Sequence, residues 1–265
     1  MHYLDKAEDM LPLLLCRLKL PACPAVIGIS GAQGSGKSTL SAQLTRHFSA
    51  LGIRAATVSL DDYYVSGAQR ALLASSVHPL LRQRGVPGTH HIHAAIQDAE
   101  AVLAGTPVAL PRFDKALDEP AAALPLQQLD LLIVEGWCLG LKPQPEAELA
   151  QPCSEFEKQF DPDGLFRSFV NQQLGALYQS YWQMLRPLIW LKAPDWSQIC
   201  LWRAQQEHEL RAKTDKGMTT AELQHFMGSF ERLSRQSFLQ LNACADVQLQ
   251  LNGQHQVIAF VDNTE

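Results

Sequence analysis

Residues Gly28 to Ser41 read GISGAQGSGKSTLS, and inside them Gly31, Ala32, Gln33, Gly34, Ser35, Gly36, Lys37 and Ser38 match the pattern G-x-x-x-x-G-K-[ST]. The pattern constrains a fold tightly because it works only as the turn between a strand and the helix that follows. The flanks fit: AVIGIS, from Ala25, is a short apolar run rich in β-branched residues, and KSTLSAQLTRHFSALG carries Leu40, Leu44 and Phe48 at helical spacing. Glycines let consecutive backbone N–H groups converge on phosphate oxygens, and the helix N-terminus adds partial positive charge. Residues 31 to 39, ending at Thr39, are thus expected to cradle the phosphates of a nucleoside triphosphate, with Lys37 at the terminal phosphates and Ser38 on magnesium.

Beyond the loop, IRAATVSL predicts a second strand that delivers Asp61, Asp62, Tyr63 and Tyr64 at its end. LDLLIVEGW predicts a third strand ending at Glu135 and Gly136, and PLIWLKAP a fourth. DWSQICLWRAQQEHELRAK reads as a helix capped by Asp195, and MTTAELQHFMGSFERLSRQSFLQL as one further helix with Thr220 as its cap. LKPQPEAELAQP reads as loop, Ser154 to Leu185 as mostly helix, and ADVQLQLNGQHQVIAFV as two strands around an Asn-Gly turn. Strands alternating with helices predict an α/β fold with a mainly parallel sheet covered on both faces. We expect one domain over residues 1–265: an N-terminal amphipathic helix at 1–23, an insertion at 65–126 over the mouth of the site, and a helix with lid at 195–217.

Ligands of open α/β sheets gather at the carboxyl ends of the strands, where Asp61, Asp62 and Glu135 fall. One acid there suits magnesium and another the proton of an acceptor hydroxyl; Asp61 and Asp62 compete for the second role. Arg203 and Arg211, with Lys213 and Lys216 beyond, are candidate cations for a transferring phosphoryl group, and Arg211 is preferred for its place beside the polar segment AKTDKG. Within the insertion, RQRGVPGTHH supplies Arg82, Arg84, Thr89 and His90, and PRFDK supplies Arg112, Asp114 and Lys115. Guanidinium groups grip a carboxylate bidentately and an aspartate orients a hydroxyl, so this set suits a small hydroxylated anion. Tyr64 stands beside these as a further acceptor-site candidate.

The net charge of −5 comes without any Lys/Arg block, so a nucleic-acid backbone finds no electrostatic footprint. Apolar stretches of the N-terminus are too short to span a bilayer, and no membrane partner is expected. Six cysteines without a C-x-x-C pair read as reduced thiols of a cytoplasmic protein. The Tyr178, Tyr181, Trp182 face is read as core in preference to interface, and no sequence signal specifies an oligomeric state.

Taken together, GISGAQGSGKSTL, SLDDYY, RGVPGTHH, LPRFDK, VEGWCLGLKP and LWRAQQEHELRAKTDKGMT resemble the plant-type D-glycerate 3-kinase family, within the phosphoribulokinase, uridine kinase and pantothenate kinase group of P-loop enzymes. The resemblance implies a P-loop NTPase fold and ATP with Mg²⁺ as phosphoryl donor. It implies Asp61 as catalytic base, Lys37 and Ser38 as phosphate and magnesium residues, Glu135 as the strand-end acid and Arg211 as a lid arginine. D-glycerate is the implied acceptor; a nucleoside, pantothenate or a sugar phosphate stays open, as does a nucleotide-binding module with no acceptor. Relatives often carry Asp where this chain has His91, and a longer basic segment where it has ALDEPAAA.

Overall fold

The structure, a computed structural model, describes residues 14–15, 22–214 and 217–263. The expected N-terminal helix lies outside the described residues apart from these few positions.

All seven residues of β1 (Ala25–Gly31) are buried, as they must be for a strand with helices on both faces. It pairs in parallel with β5 (Leu131–Gly136) on one side and β6 (Leu188–Lys192) on the other. Outside β5 lies β2 (Ala55–Ser59), also parallel; outside β6 lie β7 (Val247–Leu251) and the antiparallel β8 (Val257–Asp262). Among the described residues the sheet order is β2-β5-β1-β6-β7-β8. Side chains alternate across it: Val26, Leu132 and Val134 pack into one apolar cluster, Ile27, Ile29, Leu131 and Ile133 into the other. Tyr178, Tyr181 and Trp182 are buried in the first cluster.

The helix after the loop, α1 (Lys37–Ala50), buries Leu40, Leu44 and Phe48 against the second cluster. The insertion contains α2 (Gly67–Ser76), α3 (Ile92–Leu103) and a small hairpin of β3 (Arg112–Asp114) with β4 (Glu119–Ala121). Helices α4 (Glu146–Leu149), α5 (Glu155–Phe160), α6 (Leu165–Gly175) and α7 (Leu177–Met184) follow β5. After β6 come α8 (Trp196–Thr214), α9 (Thr220–Gly228) and α10 (Glu231–Cys244). No helix among the described residues is long and apolar enough to cross a membrane.

Three local expectations are corrected. LKPQPEAELAQP is not all loop, since it holds α4. The stretch after Met218 is two helices, not one: a β-carbon at Gly228 would lie 2.3 Å from the Phe156 ring, and the chain turns at Ser229 and Phe230 beside that contact. The cap of α9 is Thr219, not Thr220: its hydroxyl accepts from Glu222 N–H at 3.3 Å while Glu222 Oε2 accepts from Thr219 N–H at 2.7 Å. Thr219→Ala is therefore expected to destabilise by about 1 kcal/mol, and Thr220→Ala by less than about 0.5 kcal/mol, measured by chemical denaturation.

Candidate active site

Because β2, β5 and β1 are neighbours, the acids just after β2 and at the end of β5 stand beside the loop after β1. A cleft of about 350 Å³ opens there, lined by Gln33, Gly34, Lys37, Ser38, Asp61, Tyr64, Arg84, Lys115, Glu135 and Arg203 among others. At its floor Gly36, at φ 93°, is the N-cap of α1 and supplies no capping side chain, and the first turn holds no acid. The helix thus presents its leading N–H groups and partial positive charge to the cleft.

Lys37 Nζ donates to the Ala32 carbonyl at 3.0 Å, folding back over the loop. Burial lowers its pKa from the ordinary lysine value, opposed by the charges of Glu135 and Asp61. Ser38 Oγ donates to Glu135 Oε1 at 3.0 Å. A hydroxyl from the first turn of α1 and a carboxylate at the end of β5 are the hard oxygen donors that Mg²⁺ takes from proteins, one or two at a time, so the pair fits that ion. Gln33 Oε1 and Ser35 Oγ are buried in the loop without a hydrogen-bond partner.

The two aspartates, equivalent in the sequence, part company in the fold. Asp62 is committed to the scaffold: Oδ2 accepts from Ser59 N–H at 3.1 Å and Arg112 Nη1 at 3.0 Å, and Oδ1 from Phe113 N–H at 3.3 Å. Arg112 is thereby committed too. Asp61 faces the cleft, where Oδ1 accepts from the Tyr64 hydroxyl and Oδ2 from Lys115 Nζ, each at 2.6 Å. Burial opposes ionisation of Asp61, but the Lys115 charge and the hydrogen bonds from Lys115 and Tyr64 outweigh it and lower its pKa.

Behind Asp61, the Tyr64 ring stacks on His90 with centroids 4.8 Å apart. His90 Nδ1 meets the Tyr178 hydroxyl at 2.7 Å, and that hydroxyl also accepts from Gly88 N–H at 3.0 Å. Burial lowers the His90 pKa to about 4, so the imidazole is neutral near pH 7. His90 does not line the cleft; it backs the residue that does.

Arg84 reaches the cleft held by Asp118, which also binds the buried Arg70. Glu119 Oε1 accepts from Gly67 N–H at 3.1 Å. The acidic residues of ALDEPAAA therefore dock the β3–β4 hairpin and leave Lys115, at its turn, over Asp61.

Of the two helix arginines, Arg203 lines the cleft, ion-paired to Glu207 at 2.7 Å with its guanidinium 5.8 Å from the Phe226 ring centroid. Arg211 lies in a separate depression with His208, Met218 and Leu223. Trp137, Phe226 and Phe230 also line the cleft and were not singled out in the sequence. Trp137 had a signal in its place after the strand-end acid, and its Nε1 donates to the Gly85 carbonyl at 2.8 Å, tying the insertion to β5. The two phenylalanines had none, since they arrive from α9 and the turn after it.

No protein-family profile matches the chain. It is 32% identical over 221 residues to the "Uncharacterized kinase mug58" of Schizosaccharomyces pombe, with 78% of each chain covered. It is 28% identical over 221 residues to the chloroplastic D-glycerate 3-kinase of Arabidopsis thaliana, spanning 46% of that longer protein. In fold it matches the solved D-glycerate 3-kinase of Cryptococcus neoformans var. grubii with a TM-score of 0.77 over 98% of both chains, at 24% identity. The phosphate loop and strand-end acids are common to many nucleotide-binding proteins, but likeness sustained over this much of the chain is not, and the protein belongs to the D-glycerate 3-kinase-like family of P-loop kinases.

Proposed function

We propose that the protein transfers the γ-phosphoryl group of ATP to a hydroxyl of a small hydroxy acid, first of all D-glycerate, giving 3-phospho-D-glycerate. The observation that carries the proposal is the Asp61 carboxylate, turned into the cleft opposite the phosphate loop with Lys115 and Arg84 beside it. A hydroxy acid meets that arrangement at both ends. Its carboxylate pairs with Lys115 and Arg84, and its hydroxyl takes the place of Lys115 on Asp61 Oδ2. The Lys115 side chain is 59% exposed, free enough to make that exchange.

In this reading residues 31–39 hold the ATP phosphates, and Lys37 leaves the Ala32 carbonyl for the terminal phosphates. Ser38 and Glu135 would hold Mg²⁺, whose positive charge would help neutralise the phosphates. The acceptor oxygen bonds to the γ-phosphorus, the bond to the β–γ bridging oxygen breaks, ADP leaves, and the hydroxyl proton passes to Asp61. Arg203 spreads positive charge over the transferring group from α8. Asp62, Arg112, Tyr64 and His90 shape and support this half of the site; residues 65–126 form the acceptor side and 195–217 the lid.

ADP release with Mg·ATP against D-glycerate, uridine, pantothenate, ribulose 5-phosphate and no acceptor tests the proposal. Strong stimulation by D-glycerate alone is expected. Stimulation by another member of the panel overturns the acceptor, and slow hydrolysis unaffected by any overturns the acceptor-kinase reading.

The base also predicts a pH dependence. Asp61 must be ionised to accept a proton, and its pKa is lowered, so the acid limb of kcat/KM is expected below the ordinary carboxylate range. Lys115→Met removes the main stabiliser of the carboxylate, moving that limb to higher pH while raising the KM for the acceptor. A limb that stays in place assigns it to another group.

A further inference from the structure

The β7–β8 hairpin has no part in the reading above, yet its turn touches the phosphate loop. His255 stands in that turn at φ 59°, a left-handed conformation that side chains avoid unless the surroundings impose it. Its N–H donates to the Asn252 carbonyl at 3.0 Å, and Asn252 Oδ1 accepts from the N–H groups of Gln254 and Gln256 at 3.0 and 2.9 Å. The turn is braced from within.

From this position His255 Nε2 meets the Gly34 carbonyl oxygen at 2.8 Å. A carbonyl only accepts, so Nε2 carries the hydrogen. Burial lowers the imidazole pKa against the opposing effect of the Gly34 contact, favouring a neutral ring whose one N–H is committed there. The ring stacks on Trp202 with centroids 4.3 Å apart and planes 23° apart, and Trp202 Nε1 donates to the Gly253 carbonyl at 2.9 Å. Trp202 in turn backs the loop: a β-carbon at Gly34 would fall 2.8 Å from its Cβ.

Three segments far apart in the chain therefore meet at one peptide of the phosphate loop. The Gly34 carbonyl and the Ser35 N–H share a rigid plane, so fixing the oxygen orients the N–H. That N–H now turns to the Ala32 carbonyl at 3.2 Å, inside the loop.

We propose that His255 is a positioning residue of the nucleotide site, setting the Gly34–Ser35 peptide of the phosphate loop from the terminal hairpin. The proposal rests on the reading that this loop holds the phosphates of ATP. It makes the hairpin a working part of a site otherwise built from the ends of β1, β2 and β5, the insertion, α8 and α9.

The test compares His255→Asn and His255→Gln with the native protein. Asparagine tolerates the left-handed backbone but is too short to reach Gly34, whereas glutamine carries an N–H donor at the reach of Nε2. Calorimetric titration with Mg·ADP and the KM for ATP are expected to show His255→Asn weakened about tenfold, the value of one well-placed hydrogen bond. His255→Gln recovers most of that loss, and the KM of the acceptor chosen by the panel changes less than about twofold. Native-like Mg·ADP binding by His255→Asn, whatever its melting temperature, overturns the proposal. So does equal weakening by both variants, which would leave ring packing and not the hydrogen bond as the cause. A native protein that fails to bind Mg·ADP refutes the kinase reading itself, a result separate from either variant outcome.

Discussion

Asp61→Asn is expected to lower kcat by about 100-fold or more while Mg·ATP binding changes less than about threefold. Asparagine keeps the size of the side chain and can still accept from Tyr64, so the packing around Tyr64 and His90 is preserved. It loses the charge that draws the acceptor proton. Single-turnover kinetics with saturating D-glycerate, beside a Mg·ATP titration, read the two effects apart. Near-native turnover would move the base to another acid, and the geometry constrains which. Asp62 spends both oxygens on Ser59, Arg112 and Phe113, so Asp62→Asn is expected to loosen the turn after β2. Glu135 already accepts from Ser38.

Arg203→Ala is expected to reduce kcat by about 100-fold, with Arg211→Ala within about threefold of native. The two residues lie on one helix, eight positions apart, so about 12 Å of axial rise separates them. Arg203 enters the cleft above the phosphate loop, 18% exposed and braced by Glu207. Glu207 is itself fixed from the other side, its Oε1 accepting from Met218 N–H at 2.6 Å. A cation held in place before the transition state forms costs little reorganisation when charge develops, which is why the braced arginine is expected to matter more. Steady-state kcat and KM for both substrates check this; a larger loss for Arg211→Ala would mean that α8 turns its far end into the site when nucleotide binds.

The features of this protein that are legible in its amino-acid sequence share a physical property: each is decided over a few neighbouring residues. Eight residues specify the phosphate loop because its task is a backbone conformation, and glycines at Gly34 and Gly36 allow the positive φ angles of 78° and 93° it needs. The buried strands announce themselves as unbroken apolar runs because both faces of a parallel sheet are covered. Even the acids at Asp61 and Glu135 are visible, since the ends of parallel strands share one edge of the sheet. Helix boundaries are less legible: at Gly228, where α9 ends, a β-carbon would meet the Phe156 ring, which belongs to another helix.

The division of labour within the site lies beyond that range. Asp61 and Asp62 differ by one position, and what separates them is Arg112, fifty residues away, closing on one carboxylate and leaving the other to Lys115. The acidic ALDEPAAA reads as a departure from a basic pattern, yet in the fold its Asp118 holds Arg70 and Arg84. Arg203 and Arg211 are chemically equivalent in the sequence, and only the packing of α8 against the loop, through Trp202 and Gly34, brings one of them over the cleft. A hydrogen bond from His255 to Gly34 spans 221 positions and leaves no trace in either local pattern. Local sequence specifies conformation through steric preference and periodic burial, so it settles where the glycine-rich loop forms and which strands carry it; a side chain's role depends on which distant group satisfies its charge or hydrogen bond, and that is settled when the chain closes on itself.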